Sequence, residues 1–257
     1  MSLFITLSPA KRFTCIEPPE PVQTTTPFFS QQASVLATMM GTLTKDELRS
    51  LMHVSEDIAS LNYARYQSFH LEKASSYLPA VYGFAGDAYK ALDVRTLDFY
   101  SLQRMQHQLG ILSGLYGLLR PFDKILPYRL EMGTATEQVI DCNLYTYWQD
   151  MLTERLQACI SKANAEYHIN LASDEYGKAI RQERLSVPTV TLVFAKAHKD
   201  SYKVTGIVAK RMRGHMTRCI VEQDIKDLDG LRSVVLPNFT YSTEHSSMHK
   251  LVYLAND

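Results

Sequence analysis

The chain has 257 residues, with 27 lysines and arginines against 27 aspartates and glutamates, and 46% of it is hydrophobic. Those are the proportions of an ordinary globular protein, and zero net charge argues against a nucleic-acid coat while permitting a local basic patch. No apolar run approaches the roughly 18 residues of a membrane helix, MSLFITLSPAK lacks a signal-peptide pattern, and Cys15, Cys142, Cys159 and Cys219 form no CxxC pair, so a cytoplasmic protein without a membrane partner is expected, of one large domain or two small ones by length.

In chain order, Leu3 to Leu7 reads as a short buried strand, stopped by Pro9 in a turn that presents Ser8 and Lys11. Residues 17–27 are rich in Pro and Thr and read as an exposed connector. Thr44 and Glu47 form a capping box for a helix with Leu48, Leu51 and Met52 on one face. A second helix follows, capped by Ser55, with Ile58, Leu61 and Ala64 at helical spacing. Two short helices with a tight turn can hold a DNA phosphate, but His53-Val54-Ser55 lacks the glycines that let amides approach one, so shape alone favours simple packing. Asp87 follows two glycines. Thr96 is expected to cap a helix from Leu97 to about Leu109, with Phe99, Leu102 and Met105 facing inward.

The central stretch is LGILSGLYGLLRPFDKILPYRLEMG, residues 109–133. Ile111 to Leu119 reads as one buried strand, with Gly114 and Gly117 where backbone or ligand comes close, ending in Arg120-Pro121. Pro127 to Gly133 alternates like a strand, placing Leu130 and Met132 on one face and Arg129 and Glu131 on the other. Charge beside apolar strands is costly unless paired or used, so this stretch reads as the wall of a site. Leu144 to Ile160 is an amphipathic helix burying Trp148, Leu152 and Leu156. Strands are expected at Tyr167–Ala172, Val187–Ala195 and Tyr202–Ala209, with a helix at Met216–Val221 and an edge strand at Leu251–Leu254. The alternation of elements gives an α/β or α+β fold, a mixed sheet flanked by helices.

Short strands repeatedly end in polar clusters: Ser8/Lys11, Arg120, Ser173/Asp174/Glu175 and Lys210/Arg211/Arg213. Ligand sites collect at strand ends, so these clusters could line one cleft. There is no Walker loop, GxGxxG or GxSxG, and no cofactor is expected. His245 and His249, four apart, could share a helix face but read as a surface pair, so no metal ligands are named.

Six stretches resemble the motifs of the YaaA (UPF0246) family. They are Ser8-Pro9-Ala10-Lys11, Phe84-x-Gly86-Asp87-x-Tyr89, Leu112 to Pro121, Pro127 to Gly133, Asn170 to Tyr176, and Ala209-Lys210-x-x-Arg213-Gly214. The similarity runs to about Val221 and weakens from Leu228. It implies a cytosolic bacterial protein of the peroxide stress response that limits unincorporated iron. It also implies the family's single-domain α/β fold, over residues 1–257 and expected as a monomer, with a positively charged cleft and a helix-hairpin-helix that binds double-stranded DNA, by position Thr44 to Tyr66. It supplies no catalytic residues.

Two readings follow. In the first, Lys11, Arg120, Arg129, Lys210, Arg211 and Arg213 contact DNA phosphates with little base specificity. In the second, the same cleft takes a small anionic or nucleotide-like substrate, with Asp87, Glu131, Asp174 and Glu175 as candidate acids and bases. The first is the leading reading and the second, an enzyme, the alternative; the argument for the alternative is the acids, which repel DNA phosphate. Direct iron sequestration is the weakest reading, since no His-and-carboxylate spacing builds a cage.

Overall fold

In the computed structural model of the protein, residues 2–14, 17–18, 22–70, 77–198 and 201–256 are described. Their strands are β1 (Leu3–Leu7), β2 (Leu78–Pro79), β3 (Leu109–Ser113), β4 (Gly117–Leu119), β5 (Lys124–Ile125), β6 (Tyr167–Leu171), β7 (Thr189–His198), β8 (Ser201–Lys203), β9 (Phe239–Ser247) and β10 (Lys250–Ala255). The helices are α1 (Ser30–Gly41), α2 (Lys45–Met52), α3 (Glu56–Gln67), α4 (Ala80–Gly83), α5 (Asp87–Leu92), α6 (Phe99–Gln108), α7 (Glu137–Ile140), α8 (Leu144–Lys162), α9 (Asp174–Gly177), α10 (Gly206–Glu222) and α11 (Leu228–Arg232).

Eight strands form one mixed sheet in the order β4-β3-β1-β6-β7-β10-β9, with β8 paired to β7. The middle five run parallel, and β4 and β9 close the two ends antiparallel. β1 and β3 are buried along their whole length. Helices on both faces of a parallel sheet require that, and it is why these strands read as continuous apolar runs. On one flank α8 seats Trp148 against the sheet, its indole N–H donating to the Gly114 carbonyl at 2.8 Å. Gly117 has φ +66°, and a Cβ there would lie 2.9 Å from the Trp148 ring, so sterics and backbone both demand glycine.

The structure revises several elements. Ile111–Leu119 is not one strand but the hairpin β3–β4, turned at 114–116. That turn is apolar and buried, so it carries no polar punctuation. The Ser113 hydroxyl holds it instead, accepting from the Leu115 and Tyr116 amides at 3.2 and 2.9 Å. Pro127 to Gly133 joins no ladder, although Leu130 and Met132 are buried and Arg129 and Glu131 half-buried, as the alternation implied. Residues 206–209 belong to helix α10, and only Ser201–Lys203 is strand. The buried stripe Ala209, Met212, Met216, Ile220 has helical spacing and prevails over a short alternation.

β10 lies inside the sheet between β7 and β9 rather than at its edge. Asp98, not Thr96, caps α6, accepting from the Ser101 amide at 2.7 Å, and Phe99 is exposed. α2 has its capping box, and α3 packs on it after the three-residue turn 53–55. α3, however, buries Ala59, Asn62 and Tyr66 and leaves Leu61 exposed. His245 lies on β9 and His249 in the turn after it, so they share no helix face. Cys15 and part of the 17–27 connector lie outside the described residues.

Candidate functional site

β1 and β6 are adjacent and parallel, but the chain leaves them in opposite directions: β1 leads on to β3, and β6 to β7. A crevice opens beyond the carboxyl ends of such a strand pair, and ligands of open α/β sheets bind there. The first residues past the two strands are tied together at this point. The Ser173 amide donates to the Ser8 hydroxyl at 2.8 Å, that hydroxyl donates to the Ser173 hydroxyl at 3.3 Å, and the Tyr89 hydroxyl donates to the Ser8 carbonyl at 2.9 Å.

A cavity of about 640 Å³ opens over this knot, a size that suits one small molecule. Phe13, Tyr89, Tyr128 and Tyr176 give it an aromatic lining. Burial raises the pKa of all three tyrosines, so each presents a neutral hydroxyl. Of the residues singled out in the sequence, Lys11, Asp87, Arg129, Glu131, Glu175, Lys210 and Arg213 line this cavity. Arg12 and Lys90 line it too and were missed; their signals were adjacency to Lys11 and a position three residues beyond Asp87.

One wall is internally paired. Glu131 bridges Lys11 through one oxygen and Arg129 through the other, the latter at 2.9 Å. The Tyr66 hydroxyl donates to the Arg129 carbonyl at 2.6 Å, and Glu175 accepts from the Gly133 amide at 3.0 Å. This segment lies so close to the β3–β4 turn that a Cβ on Gly114 would fall 2.3 Å from the Leu130 carbonyl oxygen.

The opposite wall is not paired. It is built by α5 and α10, which touch where a Cβ on Gly214 would fall 1.9 Å from the Ala88 carbonyl oxygen. The side chain of Asp87, at the start of α5, makes no hydrogen bond or ion pair among the described residues, and neither do the side chains of Lys210 and Arg213 on α10. The Arg213 Nε is buried without a partner. A buried unsatisfied donor costs ~1–3 kcal/mol, more when charged. Burial lowers the Arg213 pKa, an effect opposed by the nearby charge of Asp174.

Residues 3–245 match the family model described as peroxide stress protein YaaA. This chain belongs to the YaaA family. A UPF0246 protein of Shewanella pealeana is 38% identical over 99% of this chain and all of its own length. One of Shewanella oneidensis is 40% identical over 98% of each. The similarity therefore continues past Leu228 into the tail, where the sequence motifs had suggested a weaker match.

Three residues expected in the YaaA-family cleft lie elsewhere. Arg120 does not line the cavity: its guanidinium is bound to Asp123 at 2.8 Å and to the Thr26 carbonyl at 2.6 Å, and it stacks on Phe28. Asp123 is fully buried and also accepts from the Arg120 amide and the Thr25 hydroxyl, yet burial outweighs these bonds and raises its pKa. Arg211 is exposed on α10, outside the lining, because a neighbouring helical position points about 100° away from Lys210. Asp174 is exposed at the start of α9, acting on the cavity only through Arg213. Among the described residues no group of three or more His, Cys, Asp or Glu could hold a metal ion, and no helix is long and apolar enough to cross a membrane.

Proposed function

We propose that the protein serves the peroxide stress response by binding a small anionic, nucleotide-like ligand in the cavity beyond β1 and β6. The observation that carries this reading is Arg213, a half-buried guanidinium lining the cavity whose side chain makes no hydrogen bond or ion pair among the described residues. A planar fork of donors in a partly desolvated site is suited to phosphate or carboxylate. The cavity's volume accommodates one such molecule and not a duplex. Asp87 is the lining carboxylate whose side chain has no hydrogen bond or ion pair among the described residues and so is left to meet that ligand, since Glu131 and Glu175 are engaged and Asp174 lies outside. Lowering of free iron is then indirect, a consequence of the ligand's chemistry rather than of sequestration.

The second reading is double-stranded DNA held on the rim. Its support is the exposed cations Lys11, Arg12, Lys90, Lys210 and Arg211, together with the α2–α3 hairpin. Zero net charge weighs against it. Titration calorimetry with inorganic phosphate and, separately, with a random-sequence duplex at two salt concentrations divides the two. Saturable phosphate binding is expected. Duplex binding that weakens steeply with salt, with no heat from phosphate, would overturn the small-ligand reading.

A further inference from the structure

The two walls of the cavity differ in how their charges are used. On the 127–133 side, Lys11, Arg129 and Glu131 neutralise one another, and Glu175 is held by a backbone amide. On the α5–α10 side, the side chains of Asp87, Lys210 and Arg213 line the same cavity with no hydrogen bond or ion pair among the described residues, and the exposed Asp174 reaches Arg213 only as a nearby charge. Charged groups already paired have little left to offer a ligand, whereas unpaired ones in a partly dry site gain most from one.

We infer that the α5–α10 wall recognises two different ends of a single ligand: Arg213 with Lys210 takes its anionic group, and Asp87 takes a hydrogen-bond donor at its other end. This rests on the small-anion reading above and narrows it. A bare anion would satisfy Arg213 but be repelled by Asp87. A donor-bearing cation would satisfy Asp87 but be repelled by Arg213. A molecule with a phosphate at one end and N–H or O–H donors at the other satisfies both, and a nucleoside 5′-monophosphate is of that class. Its base would lie against the aromatic part of the lining, Phe13, Tyr89, Tyr128 and Tyr176. The two recognising residues are held in fixed relation, because Gly214 brings α10 into direct contact with the backbone of α5.

The test titrates inorganic phosphate, adenosine 5′-monophosphate and guanosine 5′-monophosphate into the wild type and into Arg213→Ala, Arg213→Lys, Asp87→Ala and Arg211→Ala, each first checked for a native unfolding transition. At least one monophosphate should bind the wild type more tightly than phosphate does. Arg213→Ala should weaken phosphate and monophosphate alike by about 10- to 100-fold, with partial recovery in Arg213→Lys. Asp87→Ala should weaken only the monophosphate, about tenfold, and should leave phosphate as tight or tighter. Arg211→Ala, outside the cavity, should change nothing. If no probe binds the wild type, the small-ligand reading itself falls. If phosphate binds but Asp87→Ala leaves the preference for a monophosphate intact, or Arg211→Ala weakens binding as much as Arg213→Ala, the two-ended assignment falls and the small-ligand reading stands. Should Arg213→Ala not fold, Arg213→Lys carries the same comparison.

Discussion

Arg120 and Arg213 are both arginines set against the apolar core, and the difference between them lies in what surrounds the guanidinium. Arg120 has a buried carboxylate, a backbone carbonyl and an aromatic face, and its geometry is fixed by Asp123 three residues on. Arg213 has no such shell among the described residues and lines a cavity. One is spent on the fold and the other is left over. A cation beside a strand signals a site only when the fold has not already consumed it.

The largest effect that would break this contrast is at Asp123. Asp123→Ala leaves a half-buried guanidinium and a backbone amide without their acceptor. It should lower the unfolding free energy by about 3–5 kcal/mol in urea denaturation. The folded fraction should keep its phosphate affinity, because Arg120 lies outside the cavity.

A second group spent wholly on the fold is His168. It bridges Thr6 and Thr189 across neighbouring strands at 2.9 and 3.0 Å, and burial holds its pKa at about 4 against an ordinary 6.5. The unfolded chain takes up a proton below pH 6.5 and the folded chain does not until about pH 4. Its stabilising contribution is therefore complete above pH 6.5 and falls by roughly 3 kcal/mol as pH descends towards 4. Urea midpoints measured across that window should slope downward in the wild type and flatten in His168→Gln. An unchanged slope would assign the acid sensitivity to another group.

The smallest effect should come from Arg213→Met. With no ion pair to lose and a similar apolar stem retained, stability should stay within about 1 kcal/mol of wild type or rise. A loss matching that of Asp123→Ala would mean that Arg213 is a structural residue after all.

Much of the architecture was legible because its signals are local. Leu3–Leu7 and the Trp148, Leu152, Leu156 stripe declare a buried strand and a packed helix by burial pattern alone. The β3–β4 turn escaped notice because Gly114-Leu115-Tyr116 is as apolar as the strands it joins. Helix α10 was read only in its second half, Met216–Val221, because its first residues alternate by chance. In the site, strand-end polar residues pointed toward the cavity, but sequence spacing does not record which charges have partners. Arg120 and Asp123 stand three apart, a spacing that in hindsight announces a local clamp. Nothing local marks Arg213 as different from Arg211; only the rotation of α10 against α5 separates them.

The missing methyl at position 214 makes the distance across the α5–α10 seam a ruler with no adjustable marks. Any larger residue would collide with the Ala88 carbonyl and could enter only by prising the two helices apart, carrying Asp87 and Arg213 away from each other. On the two-ended assignment proposed above, the spacing of the two recognising residues is set by this backbone contact, and a change in the span they read would have to be cut there rather than at the charges themselves.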